Sequence, residues 1–526
     1  MPSMKLHHVA LAGVCWLAAT AAQAQAPQMG GTAVFTLAQD PSSVNPATTS
    51  NPPDRMIGCI VYEGLVNLGS DYKILPLLAK SWSVSPDGLT YTFELNQAEW
   101  HDGKPFTSED VKYSLTEVNT KLSAIFGSAG RAIESIETPA KDKVVIKLKY
   151  QFGPFLLSFA CPQGGAIMPA HVFQGTDVLK NPATLTQPVG TGGFKLTEWK
   201  RGDYIKLAKN PKYYEQGKPY LDEVIGKVIT NAGARLQALR AGEVDLIQFF
   251  PGSDQATVKA DPKLQIAVSD TSPGMTLAFL NVTKKPFDDV RVRRALMMAT
   301  DREYLFKNAF YGVGAVGKMP FTTDIQWAVN PEVDYDKMYP YDPAKANALL
   351  EEAGLKKGAD GKRFTMHIAI YANQYPEFQL VAAALKSMYQ AVGVELVTDS
   401  LEDQLMLQRV FIGRDFDLTL GSFTSYADPA LGISRAFVTS GIGKAFSNPA
   451  GYSNPKVDEL FDKGERSTDL AVRGKFYQEA QKILAEDIPT ANIRQYRNID
   501  GASKRLHGLW GKVQGNGLWT EAWLEK

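Results

Sequence analysis

The stretch LAKSWSVSPDGLTYTFEL (residues 78–95) is followed closely by WHDGKPFTSEDV (residues 100–111), and together they are the most informative part of this chain. Pro-Asp-Gly at residues 86–88 is a tight-turn sequence, and the alternation of apolar and polar residues from Tyr91 to Asn96 predicts a half-buried strand after it. A loop then leads to a helix whose predicted N-cap lies near Thr107. The segment therefore predicts a turn, a strand, a loop and a helix in immediate succession.

The rest of the chain also alternates strands and helices. Apolar and polar residues alternate in Ile146–Lys149 and Ile205–Leu207, which predicts two further strands. Two segments have an N-cap residue, then proline, and a glycine at the far end, and are therefore predicted helices: Asn454 to Gly464 and Asp342 to Gly354. Thr300–Glu303 predicts a capping box at the start of another helix. The pattern as a whole predicts a mixed α/β protein with no fixed repeat.

The composition is that of a large packed chain. Its 526 residues are 44% apolar and 21% charged, and at roughly 100–200 residues per domain this length predicts two to four domains. Lys+Arg and Asp+Glu both number 56. Because no basic excess is present to attract phosphates, we expect no nucleic-acid partner.

The first 24 residues have the pattern of a secretory signal peptide. Lys5 precedes the uncharged run Val9–Ala22, and Ala22-Gln23-Ala24 offers the small-x-small pattern read by signal peptidase. This run of about 14 residues is short for a bilayer span, which needs about 20. We therefore expect residues 1–24 to be a cleaved signal peptide and the mature protein to be located in the periplasm.

Two cysteines, Cys59 and Cys161, lie beyond the predicted signal peptide. Two are too few for a disulfide scaffold. An oxidising compartment permits them to pair, but the sequence does not place them within bonding distance. Two buried free thiols are therefore an equal alternative.

The sequence contains no complete catalytic or cofactor motif. GVGAVG at residues 312–317 has the glycine spacing of a dinucleotide loop, but it follows a predicted helix and precedes Met319-Pro320, so it predicts a flexible loop. The histidines beyond the signal peptide have no histidine or cysteine at ligand spacing, and they are His101, His171, His367 and His507. We expect no cofactor, no metal and no enzymatic activity. A secreted hydrolase is the alternative from another class, because a glycosidase needs only two carboxylates brought together by the fold.

The two opening stretches closely resemble the signature of the family 5 extracellular solute-binding proteins, the dipeptide, oligopeptide and nickel receptors of ABC importers. Further stretches match in the order of that family and extend the resemblance over about residues 30–500. These stretches are YEGL (62–65), VGTGGFKL (189–196), NPKYY (210–214), PFDDVRVRRAL (286–296) and LLEEAG (349–354).

The resemblance implies a periplasmic binding protein type II-like fold: an α/β protein with two lobes and an extra subdomain inserted in lobe one. The ligand would lie between the lobes, which close over it by hinge bending. The segments expected to cross between the lobes as hinges are Leu277–Asn281 and Asn492–Tyr496, with rigid interior strands as the alternative. The implied domains are lobe one at 27–60, 191–277 and 500–526, the inserted subdomain at 61–190, and lobe two at 278–499.

The same resemblance points to a ligand-binding loop, GSFTSYADP at residues 421–429. In peptide-binding members a carboxylate in this loop anchors the peptide amine, and an arginine in an earlier segment anchors the carboxylate. Here Ser425 aligns with the amine-binding aspartate, and residues 370–375 contain no arginine. A buried ammonium without a partner carboxylate costs on the order of several kcal/mol, so a zwitterionic dipeptide is a doubtful ligand.

The candidate ligand-binding residues combine hydroxyls, amides and aromatic rings, which suit recognition by shape and hydrogen bonds. Phe423 and Tyr426 have core packing as their alternative role, and Asp428 with Pro429 has loop shaping as its alternative. The full set is Asn45, Tyr371, Asn373, Gln374, Phe423, Thr424, Ser425, Tyr426 and Asp428.

We therefore expect a monomeric periplasmic receptor of an ABC importer. Its ligand would be a peptide or a peptide-like small organic solute, delivered to the permease subunits in the inner membrane. A non-peptide solute such as an opine, a sugar conjugate or an aromatic compound is the alternative.

Overall fold

The structure is a computed structural model, and it describes residues 26–49, 51–69, 72–123, 125–248, 250–268, 273–372, 375–510 and 519–526. The predicted signal peptide and the candidate residues Asn373 and Gln374 fall outside these ranges. The strands in chain order are Thr32–Leu37 (β1), Val66–Leu68 (β2), Ile74–Pro76 (β3), Ala79–Val84 (β4), Thr90–Leu95 (β5), Ile133–Ala140 (β6), Lys143–Leu148 (β7), Phe194–Lys200 (β8), Tyr204–Lys209 (β9), Glu223–Val228 (β10), Leu246–Ile247 (β11), Leu264–Val268 (β12), Gly274–Leu280 (β13), Ala315–Val316 (β14), Phe364–Tyr371 (β15), Val394–Leu401 (β16), Leu418–Thr424 (β17), Thr490–Tyr496 (β18), Ile499–Ser503 (β19), Leu506–His507 (β20) and Trp523–Leu524 (β21).

Helices are interleaved with these strands along the whole chain. In chain order the α-helices are Pro52–Val61 (α1), Ser108–Tyr113 (α2), Thr120–Leu122 (α3), Gly127–Ala132 (α4), Ala170–Phe173 (α5), Pro182–Leu185 (α6), Ala232–Ala241 (α7), Gln255–Ala260 (α8), Val290–Met298 (α9), Arg302–Asn308 (α10), Tyr335–Met338 (α11), Pro343–Glu352 (α12), Pro376–Ala391 (α13), Asp403–Met406 (α14), Pro455–Glu465 (α15) and Leu470–Asp487 (α16). The mixed α/β class predicted from the sequence is therefore confirmed.

Within the described ranges the strands form three larger sheets and two short ribbons. The lobe-one sheet has the order β12-β19-β11-β1-β10-β9-β8, and the lobe-two sheet has the order β14-β18-β13-β17-β15-β16. A third sheet, β4-β5-β7-β6, belongs to the segment predicted to be an inserted subdomain, and we call it the subdomain sheet. Apolar residues cover both faces of the lobe-two sheet, because Leu418 and Leu420 face one core cluster while Phe279 and Phe423 face another.

The helices that were predicted from local sequence signals are present in the structure. The Asn454 side chain accepts hydrogen bonds from the Lys456 amide (3.0 Å) and the Val457 amide (3.4 Å) at the start of α15. The capping box expected at Thr300 differs in detail, because the Oδ1 atom of Asp301 accepts from the Tyr304 amide at 2.8 Å. The helix therefore starts one residue later than the sequence pattern predicted.

The chain passes between the lobe-one and lobe-two sheets twice. It leaves β12 at Val268 and enters β13 at Gly274, and it leaves β18 at Tyr496 and enters β19 at Ile499. The predicted hinge segments 277–281 and 492–496 are thus largely strand residues of the lobe-two sheet, a few residues away from the connections themselves. The division into lobes at residues 277/278 and 499/500 stays a prediction, and the sheets favour boundaries at these two connections.

Cys59 and Cys161 form a disulfide bond, with their Cα atoms 5.9 Å apart. Cys59 lies in α1 beside the lobe-one sheet, and Cys161 lies in a short 3-10 turn of the predicted inserted subdomain. The structure therefore selects the paired state over the two free thiols. The bond fastens these two parts of the chain together.

Over the described ranges, no helix combines the length and the apolar character needed to cross a membrane.

Candidate functional site

Polar and aromatic residues gather where strands of the lobe-two sheet end. β15 and β17 run parallel, so their last residues, Tyr371 and Thr424, lie at the same edge of the sheet. The carboxyl edge of parallel strands is where α/β proteins commonly bind ligands. Every described candidate residue from lobe two lies at this edge or in the loops that leave it.

One face of the sheet near this edge carries hydroxyl groups. Thr276 on β13 pairs directly with Ser422 on β17 and with Arg494 on β18. The hydroxyls of Ser422 and Tyr496 are hydrogen-bonded to each other. Gly274 makes room for this arrangement, since a Cβ atom there would come within 2.7 Å of the Tyr496 ring.

Ser425, in the middle of the predicted site loop, is fully buried. The Ser425 amide donates a hydrogen bond to the Pro273 carbonyl (2.9 Å), and the Ser425 carbonyl accepts one from the Asp428 amide (3.1 Å). Tyr426 and Ala427 between them adopt left-handed backbone conformations, with φ of 50° and 65°. Non-glycine residues rarely take this conformation, so the surrounding contacts must hold the loop in place.

Asp428 is the main contact that holds the loop. Its carboxylate lies 2.6 Å from the Nη2 atom of Arg473, and both side chains are almost completely buried. The same carboxylate accepts a hydrogen bond from the Ala430 amide at 2.9 Å. Although burial opposes the charge of Arg473, the nearby Asp428 raises the Arg473 pKa above its usual value. These contacts give Asp428 the loop-shaping role.

The same loop reaches the subdomain sheet. Tyr426 and Leu431 pack against the apolar cluster of that sheet. A second contact lies nearby, where the Gly153 amide donates a hydrogen bond to the Glu465 carbonyl at 2.7 Å. The guanidinium of Arg466 also stacks on the Tyr150 ring at 4.3 Å. Lobe two therefore touches the predicted inserted subdomain directly beside the candidate site.

Phe423 and Thr424 point to different surroundings. Phe423 is buried, with its ring centroid 5.2 Å from that of Phe279, on the face of the sheet opposite the hydroxyl groups. Thr424 is half-buried and lies opposite Gly274. The packing thus gives Phe423 a core role, and its contact with a ligand stays a prediction.

Tyr371 and Tyr375 form an aromatic cluster where β15 leads into α13. Their ring centroids are 5.5 Å apart, and Tyr375 stacks on Phe378 at 4.7 Å. The candidates Asn373 and Gln374 belong to the connecting segment that is not described. This cluster supplies flat apolar surface at the edge of the sheet.

Asn45, the candidate from lobe one, is fully buried. Its amide nitrogen donates to the Thr184 hydroxyl at 3.2 Å, and its amide oxygen accepts from the Ala47 backbone at 3.0 Å. The described contacts of Asn45 thus lie within its own loop and with Thr184. They give Asn45 a role in shaping that loop, and its role in ligand binding remains a prediction.

Two arginines at the site were missed by the sequence reasoning, which searched only residues 370–375. Arg494 lies between the rings of Phe310 and Tyr496, at 4.0 and 4.2 Å, and is 3.7 Å from the carboxylate of Glu377. Arg435 lies over the Phe423 ring at 4.8 Å. Each is distant in sequence from residues 370–375, so only the folded chain reveals that they are neighbours.

The edge of the sheet thus carries the hydroxyls and the Arg494 guanidinium on one face, and the Arg435 guanidinium beside Phe423 on the other, with aromatic rings nearby. This arrangement suits a small organic solute with polar and flat apolar parts. In the described part of the chain, no group of three or more histidine, cysteine or acidic side chains could hold a metal ion.

Comparisons with known proteins identify the family. The family model described as bacterial extracellular solute-binding proteins, family 5, middle region, matches residues 73–444. The glutathione-binding protein GsiB of Pectobacterium atrosepticum is 28% identical over 505 residues, which cover 94% of this chain and 95% of that protein.

Two solved structures extend the similarity to the fold. The oligopeptide-binding protein AppA from Bacillus subtilis, in complex with a nonapeptide, is 27% identical with a TM-score of 0.81, covering 95% of this chain and 100% of that one. AgaA from A. tumefaciens R10, in complex with agropinic acid, is 28% identical with a TM-score of 0.77, covering 94% and 99% of the two chains. These likenesses confirm the predicted type II binding-protein fold. Because the family model matches well over half of its length, the chain belongs to the bacterial extracellular solute-binding proteins, family 5.

Proposed function

We propose that this protein is the receptor of an ABC importer and captures a peptide-like small organic solute between its two lobes. The observation that carries the proposal is the site loop of lobe two, which packs through Tyr426 and Leu431 on the subdomain sheet beside an edge rich in hydroxyls, rings and guanidinium groups. A solute held at that edge would contact both lobe two and the inserted subdomain of lobe one. Such a solute shifts the equilibrium toward the closed arrangement to the extent that it binds the closed form more tightly than the open one.

Peptide-like solutes are the leading class because GsiB and AppA bear the names of a glutathione-binding and an oligopeptide-binding protein. The site itself adds a restriction. Ser425 stands where peptide-binding members carry the amine-binding carboxylate, and the Asp428 carboxylate is already paired with Arg473. A ligand that depends on a fully charged amine anchor is therefore disfavoured.

An opine-like solute is the second candidate. The observation in its favour is the similarity to AgaA, which was solved with agropinic acid and is as similar to this chain as the peptide receptors are. The guanidinium groups and hydroxyls at the site would suit such a polar acid equally well.

The remaining parts of the proposal concern location and partners. The mature protein would act in the periplasm after removal of residues 1–24, as a monomer, and would pass its solute to permease subunits in the inner membrane. It would bind the solute without transforming it and would need neither a metal nor a cofactor.

The test uses protein freed of co-purified solute by unfolding and refolding. Its thermal unfolding is measured with glutathione, with a pool of free-acid tripeptides and with agropinic acid, and each solute is then recovered and analysed by mass spectrometry. We expect at least one of them to stabilise the fold, by about 2.7 kcal/mol at a concentration of 100 Kd, and to be recovered unchanged. Hydrolysis of the solute would instead support the secreted-hydrolase alternative.

A further inference from the structure

Arg435 lies in the short 3-10 turn Ser434–Ala436, a few residues after the site loop, and no carboxylate of the described residues pairs with its charge. The Nη1 atom donates to the Phe446 carbonyl at 2.9 Å, and Nε donates to the Gly432 carbonyl at 3.3 Å. Among the described residues, Nη2 makes no hydrogen bond and no carboxylate lies within 4.0 Å of the guanidinium. Two of its three nitrogens are thus fixed by backbone carbonyls, and the third is left available.

The surroundings of Arg435 hold the guanidinium in a defined orientation. The Phe423 ring lies 4.8 Å from it on one side. Burial lowers the pKa of Arg435, and Tyr426 and Tyr375 act against that effect, but an arginine stays protonated in either case.

A half-buried charge without a carboxylate partner is costly, and two other buried arginines avoid that cost, whereas Arg293 is held by backbone carbonyls as Arg435 is. Arg473 is paired with Asp428 at 2.6 Å, and Arg302 with Asp336 at 2.7 Å. Arg435 differs from them in lying at the edge where the solute is proposed to bind. A guanidinium that is oriented by a ring and by backbone carbonyls, with one nitrogen free, is suited to receive an anion.

We propose that Arg435 anchors an acidic group of the captured solute, most simply a carboxylate, at the nitrogen that the backbone carbonyls leave free. This inference rests on the proposed function and narrows it: the solute class is an organic acid, such as a peptide-like compound with a free carboxylate. Arg435 would supply the carboxylate anchor that the sequence lacks at residues 370–375.

The experiment is a competition in equilibrium dialysis between two sets of probes. The solute-free protein is dialysed against an equimolar mixture of N-acetylated tripeptides with a free C-terminal acid and the same N-acetylated tripeptides as C-terminal amides, and the bound fraction is quantified by mass spectrometry. We compare the wild-type protein with Arg435→Met, Arg435→Lys and the control Arg240→Met, which removes an exposed arginine from α7 in lobe one.

The wild-type protein is expected to prefer the acids by about tenfold or more, as a charged hydrogen bond would give. Arg435→Met should reduce the preference to about twofold or less, Arg435→Lys should keep part of it, and Arg240→Met should leave it unchanged. A merely structural role for Arg435 would weaken acids and amides alike, so the ratio distinguishes the two roles.

Three results would overturn the inference. Equal binding of acids and amides by the wild-type protein would overturn it. This result needs no variant, and it is therefore independent of any damage to the fold in Arg435→Met, which also removes two hydrogen bonds of the turn. An undiminished acid preference in Arg435→Met would show that another group anchors the carboxylate. If the wild-type protein binds neither set of tripeptides, and if neither agropinic acid nor glutathione stabilises it, the proposed function is wrong. This inference is then wrong as well.

Discussion

Asp428 and Arg473 are the residues on which the shape of the site loop depends. Replacing Asp428 with asparagine leaves the buried Arg473 guanidinium without its counter-charge, which we expect to lower the free energy of unfolding by about 3–5 kcal/mol. Urea unfolding followed by circular dichroism measures this loss. Asp462→Asn is the matched control, because the pair of Asp462 with Arg466 is exposed and contributes at most about 1 kcal/mol. Equal losses in the two variants would contradict the role given to the buried pair.

Glu63 makes the stability of the fold depend on pH. It is buried and accepts hydrogen bonds from the hydroxyls of Thr191 (2.9 Å) and Tyr213 (2.7 Å). Burial raises the pKa of its carboxyl to about 7, and the hydroxyl donors offset only part of that effect. Between its ordinary pKa and pH 7, the folded protein therefore keeps a proton that the unfolded chain releases. Raising the pH through this window removes stability.

Between pH 4.5 and pH 8, we expect the titration of Glu63 alone to lower the free energy of unfolding by about 3 kcal/mol. The measurement is urea unfolding at a series of pH values, in the wild-type protein and in Glu63→Gln. The variant should lose most of the dependence attributed to Glu63, whereas the control Glu117→Gln, at an exposed position, should retain it. A pH dependence that is identical in wild type and Glu63→Gln would refute this assignment.

At the scale of elements, the disulfide joins α1 to a turn 102 residues later in the chain. Closing a loop of about 100 residues is expected to stabilise the fold by up to about 4.7 kcal/mol in the chain-entropy view. We expect the double variant Cys59→Ser/Cys161→Ser to unfold at a lower urea concentration than the wild-type protein. Adding dithiothreitol should move the wild-type midpoint toward that of the variant and leave the variant unchanged. A wild-type unfolding midpoint that does not change when dithiothreitol is added would contradict the presence of the disulfide bond.

The elements also show what the sequence can reveal about this protein. The strand at Tyr91 and the cap at Asn454 follow from neighbouring residues, so local patterns predicted them correctly. The pairing of Asp428 with Arg473, 45 residues apart, has no local signal. Arg435 was missed for the same reason, since its neighbour Tyr375 is brought to it only by the lobe-two sheet. Local patterns therefore predicted strands and helix caps, whereas the charged residues near the candidate site could be recognised only from the fold.

At the scale of the whole molecule, Glu465 links the arrangement of the lobes to pH. It lies in the contact between lobe two and the segment around Gly153. Burial there raises the pKa of the Glu465 carboxyl to about 7, and the nearby Asp462 adds to the increase. If opening of the lobes exposes Glu465, its pKa falls toward the ordinary value, so the closed form binds the proton more tightly. Lowering the pH from 8 to 5 should then favour closure.

The radius of gyration of the solute-free protein, measured by solution scattering, should accordingly be smaller at pH 5 than at pH 8. Glu465→Gln should stay compact at both values, because the glutamine carries no charge to desolvate. Glu459→Gln on the exposed face of the same helix is the control and should behave like the wild-type protein. A pH effect that survives in Glu465→Gln would assign it to another group.

A solute bound between the two lobes should draw them together. Solution scattering with and without solute measures this change. The solute-free protein is measured at pH 8, alone and then saturated with the free-acid tripeptide pool, with saturation checked by thermal shift in the same samples. We expect a smaller radius of gyration in the saturated sample, because a solute that contacts both lobes favours the closed arrangement while each lobe keeps its internal structure. A saturated protein whose scattering curve is identical to that of the solute-free protein would contradict the two-lobe capture described here.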